Sequence, residues 1–435
     1  MTPTCIDLFA GCGGLSLGLG AAGFTTRLSV EAHADAFATY TQNLLDRGGD
    51  SHQWPDWLEK RAWLAQDVLT QHKSELGALR GQIDLIAGGP PCQGFSTNGL
   101  RRPDDPRSRM VDVYLAYVEL IKPKIILLEN VVGFHTMRHQ TGVTYSEYVV
   151  GKLKTLGYDA SFAILKASDW GVPQKRPRFI LIGTLAGSMP GVDPILRLRV
   201  ARKEFLARKG LGLKPTTAKE ALSDLEEGSI ELPPDPEWGH LGFKTLRRAA
   251  FANSSFQILM RAESVGQPSN MRLPRHSRSS TVRMQAILDS CPKGTCISPD
   301  DRERLGIKKR STTPLSADSP SPTISTLPDD FIHYSRPRAM SVREHARLQS
   351  FPDWFDFKGP YTTGGKQRKE ACPRFTQVGN AVPPLLAEAI GETIKELLLI
   401  QSNKETLHLS DGIDIRSEHT PDLWEVADAN VVASL

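Results

Sequence analysis

The run Cys5-Ile6-Asp7-Leu8-Phe9-Ala10-Gly11-Cys12-Gly13-Gly14 decides the fold class. Residues 5–9 read as a strand, the glycines turn the chain sharply, and a helix opens near Leu15. Working outward, 27–30 reads as a second strand, 83–87 as a third, 124–128 as a fourth and 178–182 as a later one. Between them, Met110–Ile121 and residues 145–156 carry helical periodicity. Strands alternating with helices predict a parallel α/β sheet.

Ligands in open sheets of this kind bind beyond the carboxyl ends of the strands. Polar groups gather at those positions here. The glycine turn follows the first strand and Glu31 the second. Asp67 follows Trp63-Leu64-Ala65, read as the end of another strand. Cys92 comes just after 83–87, and Glu129-Asn130 closes 124–128. The turn lacks the glycine spacing of the dinucleotide fingerprint. Glu31 nevertheless stands 20 residues beyond Gly11, where an acid can accept hydrogen bonds from a ribose. A tight strand–helix junction is the plainer reading of the turn taken alone.

Two residues at this rim carry reactive chemistry. Cys92 follows Pro90-Pro91, is flanked by Gln93 and Gly94, and leads into Arg101, Arg102, Arg107 and Arg109. That is the setting of a partly exposed, activated thiol, although most buried cysteines are only small hydrophobes. Glu129 ends an apolar strand, where desolvation would favour the proton-donating form. A structural acid paired to an arginine is the alternative.

The 435 residues suffice for two domains or for one with an insertion. No apolar run spans a membrane, the N-terminus lacks a secretory pattern, and six cysteines suggest reduced thiols, so a cytoplasmic protein is expected. Net charge is +4, but residues 241–310 hold 14 Lys/Arg against 5 Asp/Glu, leaving the rest at −5. That stretch is either an electrostatic footprint for nucleic acid or a set of solvated, arginine-rich loops. Regular patterning stops after Thr184 and resumes in helices at 341–349 and 385–400. The intervening stretch is too long for a plain loop and reads as an inserted or second, smaller domain. The last 35 residues hold Lys404 and Arg416 against seven acids and are expected to be peripheral. Cys291 and Cys296, with His276 upstream, lack the fourth ligand of a zinc site, so no metal is expected.

Six blocks together resemble the cytosine-5 methyltransferase family. They are Asp7 to Gly14, Pro90-Pro91-Cys92-Gln93-Gly94-Phe95-Ser96, Glu129-Asn130-Val131, Gln174-Lys175-Arg176-Pro177-Arg178, Arg343-Glu344-His345-Ala346-Arg347-Leu348-Gln349, and Gln377-Val378-Gly379-Asn380-Ala381-Val382-Pro383-Pro384. The match covers 4–184 and about 319–395, with the blocks in family order. Met340-Ser341 and His345 depart from the usual residues of a block that mainly supports structure. The Thr-Leu pair of the family's recognition domain has two candidates, Thr281-Val282 and Thr326-Leu327.

The resemblance implies a Rossmann-like, S-adenosylmethionine-dependent methyltransferase domain with a smaller inserted target-recognition domain. Its parts would be 1–184, the insertion 185–327, a returning segment 328–400 and an acidic tail 401–435. It implies that Phe9, Gly11, Gly13, Gly14, Glu31, Asp67, Pro90, Asn380 and Ala381 hold the cofactor. Phe9 would pack on the adenine, Glu31 bind the ribose hydroxyls and Asp67 contact the adenine amino group. Cys92 would attack C6 of cytosine, Glu129 would protonate or hydrogen-bond N3, and Arg176 and Arg178 would hold the base. The base that removes the C5 proton is not identified. Gln93, Ser96 and Arg107 in the loop, and Arg272, Arg275 and Arg278 in the basic stretch, are the candidate DNA contacts. Double-stranded DNA is the expected partner of a monomeric enzyme, and a restriction endonuclease acting independently is a further candidate partner. A tRNA-modifying branch of the family is one rival; its Cys-Phe-Thr tripeptide is absent, and the middle region is longer than that branch needs. An inactive DNA-binding homologue is another, against which both Pro-Cys and Glu-Asn-Val are kept.

Overall fold

The computed structural model describes residues 2–47, 49–91, 109–225, 232–362 and 371–410, with side chains only to 402 in the last helix. Its first half runs β1 (Thr4–Leu8), α1 (Gly14–Ala21), β2 (Thr25–Val30), α2 (Ala34–Tyr40), α3 (Ala65–Gln71), α4 (Lys73–Ala78), β3 (Leu85–Gly88), α5 (Met110–Ile121) and β4 (Ile125–Val131). There follow α6 (Gly133–Thr136), α7 (Tyr145–Thr155), β5 (Tyr158–Lys166), β6 (Pro177–Leu185) and α8 (Pro194–Arg208). The middle stretch adds α9 (Ala218–Leu222), α10 (Ser255–Arg261), α11 (Arg278–Ser290), α12 (Pro299–Arg304) and the two-residue strands β7 (Thr313–Pro314) and β8 (Phe331–Ile332). The chain ends in α13 (Val342–Leu348), α14 (Arg374–Asn380) and α15 (Pro384–Ser410).

Six strands form one sheet in the order β2-β1-β3-β4-β6-β5. The first four are parallel, as expected. The sheet is nevertheless mixed, because β6 runs antiparallel to both β4 and β5. The strand β5 is absent from the sequence reading. Its Phe162 and Ile164 are exposed at the sheet edge, so the apolar pattern there is weak. The reversal of β6 follows from its connection: β5 leads back into it through residues 167–176, a loop with a single 3-10 turn (Ala167–Trp170), instead of a crossover helix.

Strand alternation assigns the two faces. Cys5, Leu85, Ile125, Leu127, Ile180 and Ile182 join the core under α1 and α15, whereas Ile6, Ile86, Leu128, Phe179 and Leu181 join the core under α5 and α7. By the same period of two, Asp7, Glu129 and Arg178 belong to the α1 face. The helices α1 and α15 approach so closely that a Cβ on Gly18 would lie 2.4 Å from that of Ala387.

Trp63-Leu64-Ala65 is not a strand end. Trp63 makes one backbone bond to the Glu31 carbonyl, Leu64 caps a helix and is 56% exposed, and Asp67 lies in the first turn of α3. An apolar run of three residues is too short to separate the two states. Another difference lies at the C-terminus, where α15 continues to Ser410, ten residues into the expected tail. Within 185–327, α8 packs on α15 through Arg197–Glu396, Arg208–Glu392 and Lys209–Glu388 pairs. No helix among the described residues is long and apolar enough to cross a membrane.

The middle stretch is fastened to the returning segment by buried charge. Arg347, fully buried on α13, donates to Asp353 at 2.5 Å and to Asp224 at 3.1 Å. Arg248 reaches Asp353 and Arg261 reaches Asp224, each at 2.6 Å. Removing Asp353 takes a carboxylate from two guanidinium groups, Arg248 and Arg347, of which Arg347 keeps Asp224. Asp353→Ala is therefore expected to lower stability by about 3–5 kcal/mol, read as a fall in urea midpoint. Asp301→Ala, which breaks an exposed pair with Arg304, leaves the midpoint unchanged.

Candidate active site

The carboxyl ends of β1 to β4 open onto a cavity of about 550 Å³. Because β6 is reversed, its amino end reaches the same rim. Of the residues expected here, Phe9, Gly11, Glu31, Pro90, Glu129, Arg176, Arg178, Asn380 and Ala381 all line it. Cys92, Gln93, Ser96 and Arg107 lie outside the described residues; Pro91, the residue before Cys92, lines the cavity.

The turn after β1 is built on left-handed backbone. Phe9 has φ 62° and Gly11 φ 57°. For a phenylalanine that conformation is strained, and such strain concentrates at functional sites. The Gly11 amide donates to Glu31 Oε2 at 2.8 Å, and the His33 amide donates to Oε1 at 2.7 Å. These bonds fix the carboxylate at the wall, while its burial raises its pKa above the usual range. The glycines divide their roles. A Cβ at Gly11 would meet no atom of the described residues within 4 Å. One at Gly13 would strike Leu44 at 2.6 Å, and one at Gly14 the Val382 carbonyl at 2.3 Å. Neither lines the cavity. Both make room for packing instead, Gly14 for the segment that carries Asn380 and Ala381 back to the first turn. Asp67 is not among the lining residues either; from its segment Trp63, Leu64 and Ala65 line the cavity.

At the other end, Arg178 Nε lies 3.0 Å from Glu129 Oε1, with each side chain 11% exposed. Glu129 is thus a buried, ion-paired carboxylate rather than a lone acid among apolar groups. Register explains the meeting: Arg178 pairs with Val131, two residues along β4 from Glu129 on the same face. Arg176, 1% exposed and with φ 26°, donates to the Ala381 carbonyl at 2.8 Å. Asn130 donates to the Pro90 carbonyl at 3.1 Å and so holds the double-proline turn that leads to Cys92.

Several lining residues were not singled out in the sequence. Asp7 stood in the first block without a role. It is fully buried, accepts from Ser16 at 2.6 Å through Oδ2, and its Oδ1 has no hydrogen-bond partner among the described residues. Burial pushes its pKa up to about 7 against the Ser16 bond. Cys12 and Cys372 also line the cavity. Burial pushes both thiols up, Cys372 to about 12, which makes them poor nucleophiles.

The expected DNA contacts divide. Arg272 is half-buried, its guanidinium 3.5 Å over the Tyr361 ring and 4.3 Å over Phe243, so it is bound up in an aromatic stack. Arg275 is exposed and donates to the Leu241 carbonyl, and Arg278 is exposed at the start of α11. His276, Cys291 and Cys296 turn to separate partners: the Ala339 amide, Arg304 and Thr313.

The raised pKa of Asp7 carries a sign. Between the ordinary carboxyl value and about 7 the folded state binds more protons than the unfolded state, so this group lowers stability as pH rises. Asp7→Asn is expected to stabilise the ligand-free protein increasingly from pH 4 to 7, by up to a few kcal/mol, with a constant gain above. Thermal melts of both proteins across that range check it; a gain that is independent of pH contradicts it.

Comparison with known proteins agrees with this geometry. The model of the family C-5 cytosine-specific DNA methylase matches residues 3–396. The type II methyltransferase M.AgeI of Thalassovita gelatinovora is 31% identical, over 90% of this chain and 98% of its own. M.DdeI of Desulfomicrobium norvegicum is also 31% identical, over 89% of this chain and 88% of its own. Among solved structures, an E. coli prophage protein, described provisionally as a DNA modification methyltransferase, superposes with a TM-score of 0.60. It is 26% identical, and the match covers 91% of this chain and 99% of that one. A family match along nearly the whole chain, and a mixed α/β sheet with five of the six blocks contributing to one cavity, give one conclusion: the chain belongs to the C-5 cytosine-specific DNA methylase family.

Proposed function

We propose that this protein methylates C5 of cytosine within a specific sequence of double-stranded DNA, with S-adenosylmethionine as cofactor and Cys92 as the attacking thiol. The observation that carries the reading is the Glu129–Arg178 pair on the cavity wall beside Pro90 and Pro91. A carboxyl and a guanidinium stand together beside the two residues that precede the proposed nucleophile.

The residues present suit the cofactor. Its cationic groups match the unpartnered Asp7 oxygen, its ribose hydroxyls match the Glu31 carboxylate, and its base matches the Phe9 ring. The cavity volume falls within the ~300–1,000 Å³ of small-molecule sites. Pro90, Asn380 and Ala381 complete the walls. When bound, the cofactor supplies an electrophilic methyl group.

Cytosine C5 is too weak a nucleophile to take that methyl unaided. The Cys92 thiolate adds to C6, forming an S–C6 bond and leaving an enamine whose electron density lies at C5. Glu129 protonates or hydrogen-bonds N3, taking up the charge that the addition creates. Arg178 fixes the Glu129 carboxyl, and Arg176 joins the base-holding wall to Ala381. Once C5 carries the methyl, a base removes the C5 proton, the S–C6 bond breaks, and the thiolate is restored. The ring is out of reach inside a duplex, so the target cytosine flips out. Residues 185–327 form the target-recognition domain, with Arg275 and Arg278 toward DNA; Gln93, Ser96 and Arg107, which follow the nucleophile in sequence, are the further DNA contacts. The enzyme works as a monomer in the cytoplasm, in a restriction–modification system.

Expression in cells lacking this modification, followed by bisulfite sequencing, tests the function. Protected cytosines within one short motif are expected. Methyl transfer to RNA alone would overturn the DNA reading. Cys92→Ala is expected to abolish both transfer and covalent trapping on 5-fluorocytosine DNA; surviving activity contradicts the role of the thiol.

A further inference from the structure

We infer that a second cavity, walled by Leu17, Met260 and Leu385, binds a small apolar α-amino acid in its zwitterionic form. The cavity measures about 390 Å³. A water takes about 30 Å³, and small-molecule sites take ~300–1,000 Å³. Three parts of the chain build it: α1 supplies Leu17, α10 in the middle stretch supplies Leu259 and Met260, and α15 supplies Leu385 and Glu388. It shares no lining residue with the cavity at the strand ends.

The backbone around it departs from the ordinary as it does around the first cavity. Among the described residues, six that are not glycine have a left-handed φ. Phe9 and Arg176 line the first cavity; Glu263 (φ 61°) and Ser350 (φ 62°) line the second. The latter two follow the ends of α10 and α13, where glycine usually takes this conformation. A π-helical turn, Thr41–Leu45, adds Asn43 and Leu44 to the wall. Such departures concentrate at functional sites.

Charge selects the ligand. At the buried end Lys209, just after α8, is paired with Glu388, which is 6% exposed. Burial holds the Glu388 carboxyl above its usual range in spite of Lys209, so a further donor would favour its charged form. At the exposed end Arg47 lies 3.4 Å from Glu263 and 3.6 Å over the Trp354 ring. Burial lowers the pKa of the remaining titratable group, His52, and keeps it neutral. The lining is therefore neutral as a whole, and a ligand with a net charge would leave one charge uncompensated. An α-amino acid carries its ammonium and carboxylate on one carbon and fits the adjacent acid and base, ammonium to Glu388 and carboxylate to Lys209. Leu17, Leu259, Met260 and Leu385 take its side chain.

Calorimetry of the full-length protein with L-phenylalanine as the probe tests this. Binding in the millimolar range or tighter is expected. Phenethylamine, which lacks the carboxylate, and hydrocinnamate, which lacks the amine, are expected to bind about 10–100-fold more weakly, as are Glu388→Gln and Lys209→Met with L-phenylalanine. Tryptophan emission reports the location: Trp354→Phe is expected to lose most of the change on binding, and Trp63→Phe, in the first cavity, to keep it. No binding of L-phenylalanine at millimolar concentrations, equal binding of the two analogues, unaltered affinity in both charge variants, or an emission change lost in Trp63→Phe instead overturns the assignment. If Glu388→Gln does not fold, Lys209→Met and the analogues decide.

Discussion

A carboxylate with 11% of its side chain exposed, at the end of a parallel strand, keeps its charge cheaply only if a cation reaches it. In this protein the cation comes from a strand running the other way. The antiparallel β6 begins at the rim where β1, β3 and β4 end, and its second residue, Arg178, closes on Glu129. A parallel strand at that place in the sheet would send Arg176 and Arg178 to the opposite edge. The reversal therefore brings the carboxyl, the two arginines and the turn before Cys92 to one cavity.

The rest of the chain serves to close that cavity. After the long middle stretch, the backbone returns along α13 and α14 and lays Asn380 and Ala381 beside the first turn. Gly14 admits this return, since any side chain there would strike the Val382 carbonyl. Arg176 and Gln349 both donate to the Ala381 carbonyl, so two separate family blocks grip the same peptide. The buried arginines of α13 then tie the middle stretch to the same frame. Met340, Ser341 and His345, which depart from the family's usual residues, are all fully buried, and Ser341 caps α13 in a capping box with Glu344. Their place is structural, as expected.

Local pattern made much of this legible. Apolar runs marked β1 and β4, and periodicity marked α5 to the residue. Glu31 and Glu129 were found because each directly follows or ends an apolar strand. Strand direction was not legible: the residues of β6 would suit a parallel strand equally well, and only its connection through the weakly patterned β5 reverses it. Trp63 was misread because three apolar residues satisfy a strand and a helix entry alike. Asp7 escaped notice because an acid in a strand reads as an outward-facing residue, whereas the period of two turns it inward onto Ser16. Gly13 and Gly14 looked like ligand-binding glycines, and their packing roles depend on residues far along the chain, such as Val382.

The most direct test of the shared site is a double-mutant cycle on the rate of methyl transfer, with Glu129→Gln, Arg178→Ala and the double variant. If the reversed strand exists to deliver Arg178 to Glu129, the double variant is no slower than the slower single, and the two residues couple by about 1–3 kcal/mol. Effects that simply add, with coupling below about 0.5 kcal/mol, would contradict the account.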